Sequence, residues 1–413
     1  MTQLIIIGGG PAGMMAAATA ASQGIKVSLL EKNEKLGKKL HITGKGRCNL
    51  TNNSDIVNHM SQVVSNPRFL HSAYRAMDSQ ALMAFFEGQG VALKTERGGR
   101  VFPVSDKSYD INDALKAFLQ ATDVQVKLNC AVKNIELEGD HFNVTTSPHP
   151  PITADAVIIA TGGLSYPSTG STGDGFSWAK QLGHYITPTF PALVPLNSPE
   201  PWIPALEGLS LKNVKCTARI SNNKIVYEEI GEMLFTKTGV TGPLILSASA
   251  YLADKFNTSP TILIDLKPGL TPDQLDARIL RDFEVNKNKD FANALDGLLP
   301  QRLIETIIHL SQIPSHKKVH TITRPERLHL VYLLKNLELR LTGNAGYKEA
   351  VITKGGISTK EVNPSTLMSK RIPGLFFSGE VLDVDALTGG YNMQIAFSTG
   401  YLAGLSAANY IKE

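Results

Sequence analysis

Cysteine is scarce in this chain: Cys48, Cys130 and Cys216 are the only three in 413 residues, far apart and without a CxxC pair. That argues against a disulfide scaffold and offers no zinc-ligand spacing, so no metal site is expected. No apolar run reaches the roughly 18 residues that a membrane-crossing helix needs. From Met1 the chain runs directly into Leu4–Ile7, without the charged start, longer apolar segment and cleavage site of a secretory leader. A cytoplasmic location is the expectation. Repeats and low-complexity segments are missing too. Charge is modest: 41 Lys and Arg against 37 Asp and Glu leave +4. That balance suits either a solvated surface or a surface for an anionic partner, and by itself does not choose. What is present, 42% hydrophobic residues with 35 glycines and 22 prolines, is the composition of a soluble enzyme of two or three domains.

The opening reads as strand, glycine turn, helix, strand. Leu4–Ile7 is a continuous apolar run, as a parallel strand buried on both faces requires. Gly8 to Gly13 forms the turn, Met14 to Ser22 is rich in Ala and Met, and Lys26 to Leu30 is the next strand. This is one βαβ unit. Alternating stretches at Val124 to Leu128, Ala131 to Leu137 and His141 to Thr146 predict a further parallel strand and an antiparallel excursion. Ala156 to Ala160 is another buried strand.

From Pro188 the character changes. Six prolines between 188 and 204 interrupt any long element, and short strands follow at Lys215 to Ile220 and Thr261 to Leu266. Residues 271–337 read as helical, with Leu298, Leu303, Ile307 and Leu310 at helical spacing. Leu375 to Phe377 is a buried strand, and an apolar helix from about Gln394 to Tyr410 closes the chain. The expected class is α/β: a first-domain segment at 1–189 completed by 351–413, an inserted β-rich domain at 190–270 and 338–350, and a helical domain at 271–337.

The glycine turn carries chemistry. In Gly8-x-Gly10-x-x-Gly13 the first glycine permits a tight turn and the second lets backbone approach a diphosphate. The third allows close helix packing, and Glu31, eighteen residues past Gly13, suits ribose hydroxyls. The helix start, including Pro11 and Ala12, offers unpaired N–H groups and partial positive charge. Glu31 disfavours a 2′-phosphate. Downstream segments select FAD over NAD at this site. Thr161-Gly162 ends a strand, and Ser378-Gly379-Glu380 resembles the second flavin motif of large FAD oxidoreductases. Gly390, Tyr391, Asn392, Met393 and Gln394 begin the last helix, whose start can face the flavin edge where negative charge collects on reduction. Neither a second GxGxxG unit nor a covalent attachment motif is evident, so FAD is expected to be non-covalent and NAD(P)H at most a transient donor.

Residues Gly37 to Asn52, with Gly170 to Gly175, Met233 to Thr236 and Gly379 to Gln394, resemble the signatures of the BaiN/RdsA-type family of bacterial NAD(P)/FAD-dependent oxidoreductases, in order along essentially the whole chain. Lys45 departs from it, where a small residue is expected. The resemblance implies a Rossmann-type FAD domain in two segments with β and helical insertions. It also implies reduction of C=C bonds conjugated to a carbonyl: steroid-type substrates in one branch, uridine of large-subunit ribosomal RNA in another. A third branch is described as amine oxidase. For RNA, the base must be flipped out of its stack.

The glycine-rich loop 37–52 carries Lys38, Lys39, Lys45 and Arg47 and could wrap the diphosphate and flavin face, with Lys32 a further expected cofactor contact. Asn49 and Val132 complete the expected cofactor contacts. Cys48, with Arg47 beside it, is either a proton donor lowered by nearby cations or a packing residue under the ring. His316, Lys317, Lys318, His320, Arg324 and Arg327 are a candidate footprint for RNA, or a solvated helix junction. Candidate partners are a small molecule or ribosomal RNA, with neither DNA nor membrane. A non-catalytic FAD-binding redox sensor is the competing class.

Overall fold

The computed structural model describes residues 3–413, the side chain of Lys45 excepted. Leu4–Ile7 is a strand with all four side chains buried. Beside it run Val27–Leu30 and then Gln125–Lys127 on one flank, Ala156–Ile159 and then Leu375–Phe377 on the other, every pair parallel. In this register Ile6 lies between Leu29 and Ile158, and Ile158 meets Phe376. The outermost strand comes from near the end of the chain, which makes one sheet of two distant segments. A separate antiparallel sheet of Ala131–Glu138, His141–Ser147 and Ile152–Ala154 is the excursion the alternation predicts. The class is the expected one: α/β, with a Rossmann-type parallel sheet.

The first helix, Pro11–Ser22, has Gly10 as N-cap and proline in its first turn, where a missing N–H costs nothing. Its small side chains are buried from Ala12 to Ala21, so neighbours approach closely. The last helix, Tyr391–Lys412, does so at two glycines. A Cβ on Gly400 would strike the carbonyl of Ala12, and one on Gly404 that of Ala16. The pair of helices therefore packs backbone to backbone, one turn apart.

Chain contacts divide the molecule into a unit of Met1–Ala192 with Tyr347–Glu413 and a unit of Leu193–Gly346. The second unit holds an antiparallel sheet whose central strands are Ser210–Ile220 and Lys224–Thr236. One apolar cluster, with Phe235 and Ile262 from strands and Leu303, Ile307 and Leu330 from helices, joins its β and helical parts. Helices Pro272–Val285 and Arg324–Lys335 open with capping boxes, Thr271 with Gln274 and Thr323 with Glu326. The third, Gln301–Ser311, starts after Pro300, so Leu298 stands in the preceding turn rather than on the helix where its spacing had put it. Among the described residues no helix is long and apolar enough to cross a membrane.

Candidate functional site

The glycine turn is shaped by the contacts it makes. Gly8 has φ +111°, and a Cβ there would lie 2.5 Å from the Ala160 carbonyl oxygen, while one on Gly13 would strike the Gly8 carbonyl. Gly10 is different: an added Cβ meets nothing within 4 Å. The first helix carries no side-chain cap, so the donors of its opening turn have no partner within the helix. Open space before an uncapped helix N-terminus at the carboxyl end of a parallel sheet is a cradle that fits a dinucleotide diphosphate.

Glu31 is 8% exposed and braces that turn. Its Oε2 accepts from the Gly9 N–H at 2.7 Å, and Oε1 from the Asn33 backbone and amide at 2.8 and 2.7 Å. A carboxylate has about four acceptor sites, which leaves capacity for a ribose hydroxyl. The Cys130 N–H donates to the Glu31 carbonyl, which sets Val132 two residues further on, at the start of Ala131–Glu138.

The cations of this region are paired. Lys32 reaches Thr172 at 2.5 Å and Asp174 at 2.6 Å, tying the Gly170 to Gly175 segment to the end of the second strand. Lys38 pairs with Glu34 at 2.8 Å. Lys39 donates to Glu380 at 2.7 Å and to Ser165 at 2.6 Å. Glu380 also accepts from Ser165 Oγ and the Thr353 N–H, both at 2.8 Å, while Thr353 Oγ1 accepts from the N–H groups of Leu164 and Ser165. Thr353 and Ser165 carry no local signature; only the fold brings them to Glu380. Thr161 and Gly162 stand beside this network, Gly162 at φ +73° with Ser171 Oγ 3.1 Å from where its Cβ would be.

Residues 37–52 are more ordered than a loop. Gly37, at φ 69°, opens a short helix Lys38–Ile42, a 3-10 turn Thr43–Gly46 follows, and Thr51–Asn52 pairs with Arg100–Pro103. Lys45 lies in that turn, but its side chain is outside the described residues. Arg47 is held by Glu96 and by Asp106, its Nε 2.8 Å from Asp106, with its guanidinium 4.1 Å above the Phe102 ring. The two carboxylates raise its pKa above the ordinary value. Cys48 is fully buried with φ 58°. Burial pushes its thiol up to about 12, the reverse of the cation-lowered thiol expected of a proton donor.

At the last helix, Gly390 is the N-cap at φ 100°, close against the backbone of Thr51. With its amide oriented to satisfy both ends, Asn49 accepts from the Gly390 N–H at 3.0 Å and donates to Thr51 O. Gln394 is wholly buried and fully used: Thr51 Oγ1 donates to it at 2.5 Å, and its Nε2 donates to Met77 O and Ser398 Oγ at 2.9 Å. Asn392 bonds both backbone groups of Ala386. These side chains hold the helix start in place, and Met393 is half-buried beside them. Tyr391 packs edge-on to buried His59, ring centroids 5.1 Å apart. The Gly379 N–H donates to Thr399 Oγ1 at 2.9 Å, which locks the Ser378–Glu380 corner to the same helix.

Two predicted elements lie in the second unit. Met233 and Phe235 are buried in its core. The candidate basic footprint is largely neutralised: Lys317 pairs with Glu326 at 2.7 Å, Lys318 with Asp290 at 2.8 Å and Arg327 with Asp276 at 2.6 Å. Lys317 and the Thr323 cap hold Glu326 down to about 2. This is a braced helix junction.

Comparison with known proteins accords with this geometry. Residues 2–406 match the HI0933-like protein Rossmann domain family. The chain is 31% identical over 414 residues to the 3-dehydro-bile acid delta(4,6)-reductase of Clostridium scindens, covering 99% of each. It is 30% identical over 397 residues to the ribosomal RNA dihydrouridine synthase of Escherichia coli, covering 96% of each. A 3-ketosteroid-delta4-(5alpha)-dehydrogenase from Rhodococcus jostii RHA1 shares the fold, with TM-score 0.54 and 15% identity over 98% of this chain and 96% of that one. The chain belongs to the HI0933-like Rossmann-domain family and is an FAD-dependent oxidoreductase.

Proposed function

We propose that this protein reduces a carbon–carbon double bond conjugated to a carbonyl, and that its substrate is a uridine of large-subunit ribosomal RNA. The observation that carries the reading is the pair of full-length relatives. One is named for reduction of a bile acid at delta(4,6), the other for making dihydrouridine in ribosomal RNA, at near-equal identity. A 3-oxo-4-ene and the C5=C6 bond of uridine are the same functional group, an alkene polarised by a carbonyl.

FAD, when bound and reduced, would supply the hydride for the β-carbon, with the proton for the α-carbon coming from solvent. The protein's own part is placement and field. The Gly8–Gly13 turn and Glu31 would take the nucleotide end, and Lys39–Glu380 with Thr161 and Gly162 the middle. The start of the Tyr391–Lys412 helix would direct its positive end toward the flavin edge. Burial of Cys48 supports a packing role. NAD(P)H is the proposed transient electron donor, since the chain carries one fingerprint unit.

A second reading, reduction of a small-molecule enone, is favoured by the ion pairing of the Lys317–Arg327 cluster, which leaves that surface little free charge for RNA. Mass spectrometry of large-subunit ribosomal RNA from a deletion strain separates the two. Loss of one dihydrouridine, restored by the gene in trans, supports the uridine reading. Unchanged dihydrouridine, with NAD(P)H turnover by the purified protein on a 3-oxo-4-ene steroid, supports the other.

A further inference from the structure

Free positive charge lies on the first unit, around the segment that leads into the last helix. Arg97-Gly98-Gly99-Arg100 is a tight turn with φ of 78° and 73° at its glycines. Its backbone is tied to its neighbours: Gly99 N–H donates to Glu96 O at 3.1 Å, Glu96 N–H to Arg100 O at 2.8 Å, and Asn53 N–H to Gly99 O at 2.6 Å. Asn52, 3% exposed, clamps it from below, donating to Gly98 O at 2.9 Å and Gly389 O at 3.3 Å. The clamp fixes the turn directly beside the Gly389–Gly390 helix start.

Both arginines are exposed, and neither forms an ion pair among the described residues. Arg100 donates its Nε to Arg97 O at 3.1 Å, and its guanidinium lies 5.9 Å from the Phe102 ring centroid. The neighbouring carboxylates, Glu96 and Asp106, are already held by Arg47 and Lys94. The turn therefore presents two guanidiniums with open donor edges, suited to bidentate phosphate contact.

A second basic element adjoins the same segment further up the chain. Val63–Ser65 pairs with Asp385–Ala386, and Asn66 donates to Asp383 O at 2.7 Å. Just beyond, in the helical stretch Pro67–Ala76, Arg68, His71 and Arg75 are exposed, three and four residues apart, without a carboxylate partner among the described residues. Two arginine-bearing elements along one segment suit an extended polyanion better than a single carboxylate.

We propose that Arg97 and Arg100 grip the RNA phosphates flanking the reacting uridine, with Arg68, His71 and Arg75 continuing the track. This rests on the uridine reading above. The test is binding of FAD-loaded protein to large-subunit ribosomal RNA transcribed in vitro, followed from about 50 to about 200 mM salt. Arg97→Ala with Arg100→Ala is expected to weaken binding and flatten the log–log salt slope by about 1.4, roughly 0.7 per lost contact. The corresponding Arg→Lys pair should keep most of that slope, and Lys317→Ala with Lys318→Ala should match the parent protein. An Arg→Ala pair that binds with the parent slope overturns the site while leaving the uridine reading intact. Parent protein without salt-dependent binding overturns both. Loss of FAD absorbance in the Arg→Ala pair overturns the assignment in favour of a structural turn.

Discussion

Lys39 and Glu380 meet at 2.7 Å although 341 residues separate them in the chain. Each is about one-fifth exposed, and Glu380 serves Ser165 and the Thr353 backbone at the same time. One carboxylate thus joins four stretches of the first unit. Glu380→Ala removes the shared acceptor, leaves Lys39 with Ser165 alone and leaves the buried Thr353 N–H unserved. The expected cost is about 2 kcal/mol, read as a lower urea midpoint at unchanged slope. An unshifted midpoint would show that the stretches hold together without it.

The three fingerprint glycines should separate by experiment. Gly10→Val adds its side chain to open space, so the variant is expected to fold with the parent circular dichroism spectrum and carry no FAD. Gly13→Val drives the side chain into the Gly8 carbonyl and should fail to fold. FAD bound by folded Gly10→Val protein would refute the placement of the diphosphate there.

Cys48 is expected to behave as core. A thiol near 12 stays protonated, so native protein should leave Cys48 unlabelled by a thiol reagent at pH 8. Cys48→Ala should alter neither half-reaction by more than about twofold. Slowing of only the substrate step by about 100-fold, with flavin reduction intact, would restore it as a general acid.

Stability should pass through a plateau in pH. Burial holds His41, His59 and His184 below the ordinary 6.5, so the native state keeps them neutral while the unfolded chain takes up protons. Their contribution is present above 6.5 and lost as pH falls below it. Cys48 and Cys216 are raised from 9.0 to about 12, so their contribution is present below 9 and lost as pH rises from 9 toward 12. Urea midpoints across this range check both edges. His59→Gln should soften the acid edge, and a profile unaffected by it would assign that edge elsewhere.

Much of the first unit was legible because its signals are local. A run of four apolar residues, glycines at fixed offsets and an acid at the next strand end specify a βαβ turn without knowledge of anything distant. The strand Leu375–Phe377 and the last helix were readable for the same reason. The segment 37–52 was less so: its glycines suggested a loop, whereas Lys38–Ile42, free of breakers after a left-handed Gly37, winds into helix. Leu298 misled because spacing continues across Pro300 while the helix does not.

The sequence by itself determined which backbone must turn, which strands must be covered on both faces, and that a dinucleotide fold begins at Leu4. Each of those is a matter of side-chain absence or apolarity within a few residues. Tertiary structure alone decided which charges are free. Lys317, Lys318 and Arg327 read as a basic cluster, yet each has a carboxylate from elsewhere in its unit. Arg97 and Arg100 drew no notice in the sequence and, among the described residues, form no ion pair beside the Gly389 helix start. A charge's availability depends on its partners across the fold, and no short-range pattern encodes them.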